Sequence, residues 1–242
     1  MRNAKLILLF LVTLIFAGTT DISAQSGGIN LTLGFPRGEF YQYVKRTGIG
    51  GSIEGLIYPY GDRTPFGIGL NLGFMNYGNE SRNARWSTTI PDATVNVDRS
   101  NNILNYHLLI RLQTNNTLIR PYLDLLFGGS YFFTETTVRN EKDNEEITTS
   151  NNSEDHAWSY GGGAGILFKV TDLNDPATGG KSPLFIDFKV RYLMGSEAQY
   201  LKEGDLIVNE TTGTVTPIYS NSKTDLLTVH LGVHAYFSAV GY

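Results

Sequence analysis

Apolar and polar positions alternate with a period of two over most of the chain beyond its first 25 residues, which is the pattern of strands with two unlike faces. In residues 227–237, Leu227, Val229, Leu231, Val233, Ala235 and Phe237 share one face, opposite Thr228, His230, Gly232, His234 and Tyr236. Residues 184–194 repeat it, with Leu184, Ile186, Phe188, Val190, Tyr192 and Met194 against Phe185, Asp187, Lys189, Arg191 and Leu193. The same alternation runs through residues 158–170, 119–133, 103–113, 66–74 and 29–35, and more weakly through 47–58, where Ile49, Ile53 and Ile57 alternate with Gly50, Ser52, Glu54 and Leu56. Eight strands are predicted, with no helical segment between them.

The connections alternate between short and long. Residues 59–64, 114–118 and 171–182 are compact and carry the Gly, Pro, Asn and Asp that supply turn geometry. Residues 79–100, 139–155 and 201–223 are long and polar, and 36–46 is intermediate. An even number of strands with long connections on one side and short turns on the other is the asymmetry of outer-membrane barrels. Ahead of the strands, Arg2 and Lys5 precede an apolar run over residues 6–17 and a polar stretch ending Ser23-Ala24-Gln25. That predicts a secretory signal peptide over 1–24 and a barrel over 25–242. Twelve apolar residues span about 18 Å as a helix, short of a ~30 Å hydrocarbon core, and no later run is longer. A chain of this kind enters a membrane as a closed barrel.

Composition decides which face is outermost. Only 17% of residues are charged and 27 of 242 are Gly, against roughly 25% charged and 7% Gly in average domains. The second face of each strand is mainly Gly, Ser, Asn and Thr, without the Lys/Glu-rich skin that disperses a soluble barrel. The apolar face is therefore expected outside, in lipid. Ten residues at 3.3 Å, tilted near 45°, give about 23 Å, the height of a lipid-facing band. Two aromatic girdles are expected: Tyr58, Tyr60, Phe66, Phe168, Phe185, Tyr236 and Phe237 near the short turns, and Phe35, Tyr77, Tyr131, Phe133, Trp158 and Tyr160 near the long loops. A net charge of -4, which becomes -5 when Arg2, Lys5 and Asp21 leave with the leader, offers no basic footprint for nucleic acid. The absence of Cys removes disulfides, thiolate metal sites and lipidation.

Leader, eight amphipathic strands, alternating connections and an aromatic last strand over residues 224–237 together resemble the small outer-membrane protein β-barrel domain family, akin to the OmpA transmembrane domain. The resemblance implies an all-β, antiparallel, up-and-down transmembrane β-barrel of eight strands in the outer membrane of a Gram-negative cell envelope. It also implies contact with outer-membrane lipid and lipopolysaccharide, insertion by the barrel-assembly machinery, and no cofactor. The final aromatic of such barrels ends the chain, whereas residues 238–242 follow Phe237 here.

Eight strands leave an interior just wide enough for side chains to fill. The inward set holds Glu54, Asp124 and Asp187 against Arg111, Arg120, Lys169, Lys189 and Arg191, with His107, His230 and His234. Buried charges must pair, so a salt-bridged plug is expected, ahead of a narrow ion path or a ligand site. His230 and His234 lie about 13 Å apart along one strand and cannot hold one metal ion together. No HExxH, Walker A or GxSxG motif occurs. His156 and Ser159, three apart, fall on opposite faces, so the local His/Ser pair of lipid A deacylases is missing. No catalytic residue and no metal ligand is assigned. Recognition is left to the loops: 139–155 is acidic, and Arg82, Arg85 and Trp86 form a contact patch for a partner protein or lipid phosphate. The leading expectation is a non-enzymatic, porin-like barrel serving envelope structure or surface interaction. The alternatives are a subunit of an outer-membrane secretion or transport complex and, behind it, a lipid A-modifying enzyme.

Overall fold

The computed structural model describes residues 24–59, 65–85, 94–140, 145–174, 180–202, 204–208 and 215–238. The predicted leader up to Ser23, together with Tyr60, Trp86 and residues 239–242, lies outside them. Eight strands close into one antiparallel barrel: β1 (Ala24–Pro36), β2 (Gly48–Ile57), β3 (Phe66–Arg85), β4 (Thr94–Gln113), β5 (Ile119–Asn140), β6 (Glu146–Asn174), β7 (Lys181–Gly195) and β12 (Leu226–Ser238). Each pairs with its chain neighbour, and β1 with β12 completes the wall, Ala24 opposite Ser238 and Leu31 opposite Leu231. Within the closed ring no edge is free, which a strand in hydrocarbon requires because lipid offers no partner to an unpaired N–H or C=O.

The apolar face of every strand is outside. Leu31, Leu231, Phe127, Leu125 and Ile53 are all more than half exposed, an arrangement that water would oppose at about 25 cal/mol per Å² and that lipid accepts. The interior is layered. Toward the short turns lie Tyr58, Tyr236, Phe185 and Leu56, and the middle holds the charged residues. Toward the long connections come Met75, Ile103 and Leu126, and above them Phe132 and Tyr77.

Three expectations need correction. First, residues 79–100 and 139–155 are strand over most of their length: β3 pairs with β4 as far as Arg85–Thr94, and β5 with β6 as far as Arg139–Glu146. Beyond the membrane both faces of a strand meet water, so the hydrophobic alternation stops while the ladder continues on Thr, Val, Asn and Ser. Second, residues 36–46 contain a one-turn-and-a-half helix, α1 (Gly38–Tyr43). Gly38, at φ 55°, supplies the left-handed turn out of β1. Third, Tyr58, Phe185, Tyr236 and Tyr77 are buried inside the barrel and take no part in a girdle. Strand parity explains it, because 58 shares its face with 54, 185 with 187, and 236 with 234. Phe66, Phe168 and Phe237 at one end, and Trp158 and Tyr160 at the other, are exposed on the outer wall.

The connection from β7 to β12 carries four short strands, β8 (Glu197–Tyr200), β9 (Leu206–Val208), β10 (Val215–Pro217) and β11 (Ser220–Lys223), paired as β8–β11 and β9–β10. Together with α1 it closes the mouth. Phe40 of α1 is fully buried and meets Tyr200, Phe132 and Tyr77 edge-on, with ring centroids 5.1, 5.9 and 6.0 Å away. Tyr77 donates to the Leu201 carbonyl at 3.1 Å, and Tyr200 bonds the Ser222 hydroxyl at 2.8 Å. The Asp225 carbonyl accepts from Arg37 N at 2.9 Å, while its carboxylate accepts from Gly195 N at 3.1 Å and from the Tyr192 hydroxyl at 3.2 Å, tying α1 to the last hairpin.

Candidate functional site

Alternation along four strands projects Glu54 (β2), Arg111 (β4), Asp124 (β5) and Asp187, Lys189 and Arg191 (β7) into one cross-section of the lumen. Arg111 donates Nε to Asp124 Oδ1 at 2.8 Å and Nη2 to Glu54 Oε1 at 2.9 Å. Arg191 Nη2 bridges Glu54 Oε2 at 2.8 Å and Asp124 Oδ2 at 2.6 Å. Lys189 Nζ lies 2.8 Å from Glu54 Oε2 and 2.9 Å from Asp187 Oδ2, and Tyr122 donates to Asp187 Oδ1 at 2.5 Å. The Arg111 guanidinium also covers the Tyr122 ring at 3.8 Å. Three carboxylates face three cations with every side chain essentially inaccessible to solvent. Within a low dielectric each of these charges is tolerable only because the others neutralise it.

Small residues make room for this packing. A Cβ on Gly165 would stand 2.3 Å from the Tyr122 ring and 2.8 Å from Lys189 Cβ, and one on Gly163 would stand 2.6 Å from Arg191 Cγ. His234 Nδ1 lies 3.4 Å from Glu54 Oε1. Glu54, Asp187 and His234 bring ligand atoms close enough for a metal ion. The Lys189 ammonium, however, already lies between the two carboxylates, so the donor set is satisfied by a side-chain cation and does not fit a metal.

The other inward residues sit apart from this cluster. Arg120 lies toward the short turns, its guanidinium 4.7 Å from the Tyr236 ring centroid and 4.9 Å from that of Phe185, with Nε donating to the Asn116 carbonyl at 2.8 Å. Lys169 is not in the lumen network. It keeps the inward parity of Leu167 and stands opposite Phe185, but at the end of the wall, where it pairs with Asp172 at 2.7 Å. His230 bonds Thr32 at 2.9 Å and Thr228 at 2.8 Å. His107 bonds Ser159 at 3.0 Å, a contact between β4 and β6 that no local spacing could reveal. Between His107, His230 and Arg191 is a cavity of about 20 Å³, room for a single water. Arg82 is half-buried on β3 opposite Val97, and Arg85 ends that strand opposite Thr94. Trp86 lies outside the described residues.

A closed wall, an apolar exterior and a charged interior packed shut leave one solvent that fits the outside. The chain is a membrane-spanning, outer-membrane-type β-barrel. No protein-family model matches its sequence, and no curated protein sequence does. Among solved structures it is similar to a major outer membrane protein from Thermus thermophilus, at 14% identity over 89% of this chain and 100% of that one, TM-score 0.43. It is also similar to Ail, the attachment invasion locus protein of Yersinia pestis, solved with the heparin analogue sucrose octasulfate, at 12% identity over 89% and 97%, TM-score 0.34. A third is the outer membrane protease OmpT of Escherichia coli, at 9% identity over 91% and 97%, TM-score 0.35.

Proposed function

We propose that the chain is exported by its leader to the outer membrane of a Gram-negative cell. There it serves envelope structure or surface interaction as a non-enzymatic barrel, with a plugged lumen and its working surface on the strands and loops beyond the bilayer. The observation that supports this most is the neutral six-charge cluster spanning the lumen beneath an aromatic lid. It fills the cross-section through which an ion would pass, and disrupting it leaves a buried charge unpaired. Lipid and lipopolysaccharide surround the wall, the barrel-assembly machinery inserts it, and a protein partner is met through the upper surface.

The non-enzymatic reading is supported by the two serine–histidine contacts inside the barrel among the described residues, Ser159 with His107 and Ser52 with His230 at 3.4 Å; His230 is otherwise bonded only to Thr32 and Thr228. Ser159 and His107 are 2% and 3% exposed, and His107 Nδ1 has no protein partner, so no acid orients the ring and no substrate reaches the hydroxyl. His156, by contrast, is on the outer wall bonded to Tyr106.

Purified protein in planar bilayers tests the plug: no steady conductance is expected, and large, long-lived openings would overturn it. Unchanged lipid A mass on overexpression is expected of a non-enzyme, and a lost or added acyl chain would overturn that part.

A further inference from the structure

The short-turn end of the lumen holds a cation that the barrel does not neutralise. Arg120, 9% exposed, stands at the start of β5 beside the β4–β5 turn, where its Nε donates to the Asn116 carbonyl at 2.8 Å. Glu54, Asp124 and Asp187 are already matched by Arg111, Lys189 and Arg191, and Asp172 by Lys169. Among the described residues no carboxylate pairs with Arg120, and its buried Nη1 has no acceptor. The rings of Tyr236 and Phe185, 4.7 and 4.9 Å from its guanidinium carbon, stabilise the cation without cancelling its charge. A buried charge without a counter-charge is costly, so this end of the lumen lacks one negative group.

A second buried donor without a partner adjoins the same rings. Gln113 is 3% exposed; its Oε1 accepts from the hydroxyls of Tyr236 at 2.7 Å and Tyr58 at 3.1 Å, while its Nε2 has no acceptor. The rings of Tyr58 and Tyr236 lie 5.8 Å apart, and Phe185 meets Tyr236 edge-on at 5.5 Å, so aromatic surface backs both donors. A guanidinium and an amide nitrogen can only donate. The missing group is therefore an acceptor, and the charge balance makes it an anion.

We propose that the short-turn end of the lumen binds one small free carboxylate between Arg120 and Gln113. With Nε held by Asn116, the guanidinium keeps its end-on pair of N–H groups, Nη1 and Nη2, a planar fork that both oxygens of a carboxylate can meet. The Gln113 amide supplies a third donor, and the rings face the apolar side of the ligand. The narrow exposure left to Arg120 limits that ligand to about the size of acetate. In the orientation of the proposed function the site opens to the periplasm, and its chemistry is the same in either orientation.

The test uses the full mature barrel in phosphatidylcholine nanodiscs, which leave both mouths open to solution, with acetate as the probe. Affinity is read from saturation transfer to the acetate methyl protons while sodium acetate replaces sodium chloride at constant ionic strength. R120Q should weaken acetate at least tenfold and Q113L about threefold to tenfold. K181A, on an exposed cation at the same end of the barrel, should change it less than twofold. The urea midpoint of the unaltered barrel should rise as acetate replaces chloride and stay flat in R120Q, because a ligand held only by the folded state shifts it. Absence of acetate binding, a midpoint that does not rise, or an equal loss in K181A would overturn the proposal. A retained shift in gel mobility on boiling shows that each variant is folded, and R120Q removes a charge that no carboxylate of the barrel pairs with, so it carries the test if Q113L does not fold. Acetate enters from the short-turn side without crossing the charged cluster, so this proposal and the plug fail separately.

Discussion

Glu54 accepts hydrogen bonds or ion pairs from Arg111, Arg191 and Lys189 at 2.8–2.9 Å with no access to solvent. Glu54→Gln keeps the shape and removes the charge, leaving one cation of the cluster uncompensated. Removing one partner from a buried ion network costs about 3–5 kcal/mol, so E54Q should unfold at markedly lower urea in lipid vesicles. Restoring neutrality with K189M should recover part of the loss, and strict additivity of the two substitutions would show that they do not share a network. The neighbouring glycines set a second limit. Gly165→Val would drive its side chain into Tyr122 and Lys189, and an overpacked core costs about 1–3 kcal/mol. The same urea transition measures it, and an unchanged midpoint would mean that the lumen is looser than these distances indicate.

At the scale of elements, the mouth is held by one aromatic cluster. Phe40→Ala removes the ring that Tyr77, Phe132 and Tyr200 enclose. Truncating a buried Phe costs about 3–5 kcal/mol where the loss is global; here the loss falls on α1 and β8, which hang from the barrel without forming its wall. F40A should therefore make residues 37–47 sensitive to protease while the barrel still shifts in mobility on boiling. The cluster also carries a pH limit. Burial pushes the Tyr200 phenol up to about 12. Because the folded state favours the protonated phenol, this contribution is complete below the unfolded value near 10 and is lost as pH rises toward 12. Protease sensitivity of the lid should rise over that window, and Tyr200→Phe should remove the step. The lid is also where the sequence was least legible. Phe40 and Val44 are four apart, a helical spacing, but six residues are too few for a period to stand out. The long β3–β6 extensions were unreadable for a different reason, since alternation reports a difference between two faces and disappears when both are wet. The lumen residues were legible because parity alone places them. Parity does not give height, so Lys169, on the inward parity but at the end of the wall, misses the central network, and Tyr58, Phe185 and Tyr236 obeyed parity against a girdle assignment that ignored it.

For the whole molecule, the two ends of the barrel are chemically unlike. Four strands of 20, 20, 22 and 29 residues rise at one end, whereas about ten residues suffice to cross the bilayer. The excess is polar and paired, so it cannot rest in lipid and must project into water on one side only. The proposed function requires that side to be the cell exterior. The chain contains no Cys, so a single introduced thiol is an unambiguous probe of sidedness. Thr149→Cys sits on the exposed β6 extension and Thr117→Cys on the exposed turn between β4 and β5. On intact cells a membrane-impermeant maleimide should label T149C and spare T117C, and lysis should make both reactive. The reverse pattern would place the aromatic lid inside the cell envelope, and a surface role could not stand. Equal labelling of both on intact cells would mean that reagent reaches both faces of the membrane, and a tight outer membrane assayed in parallel separates that from a conducting lumen.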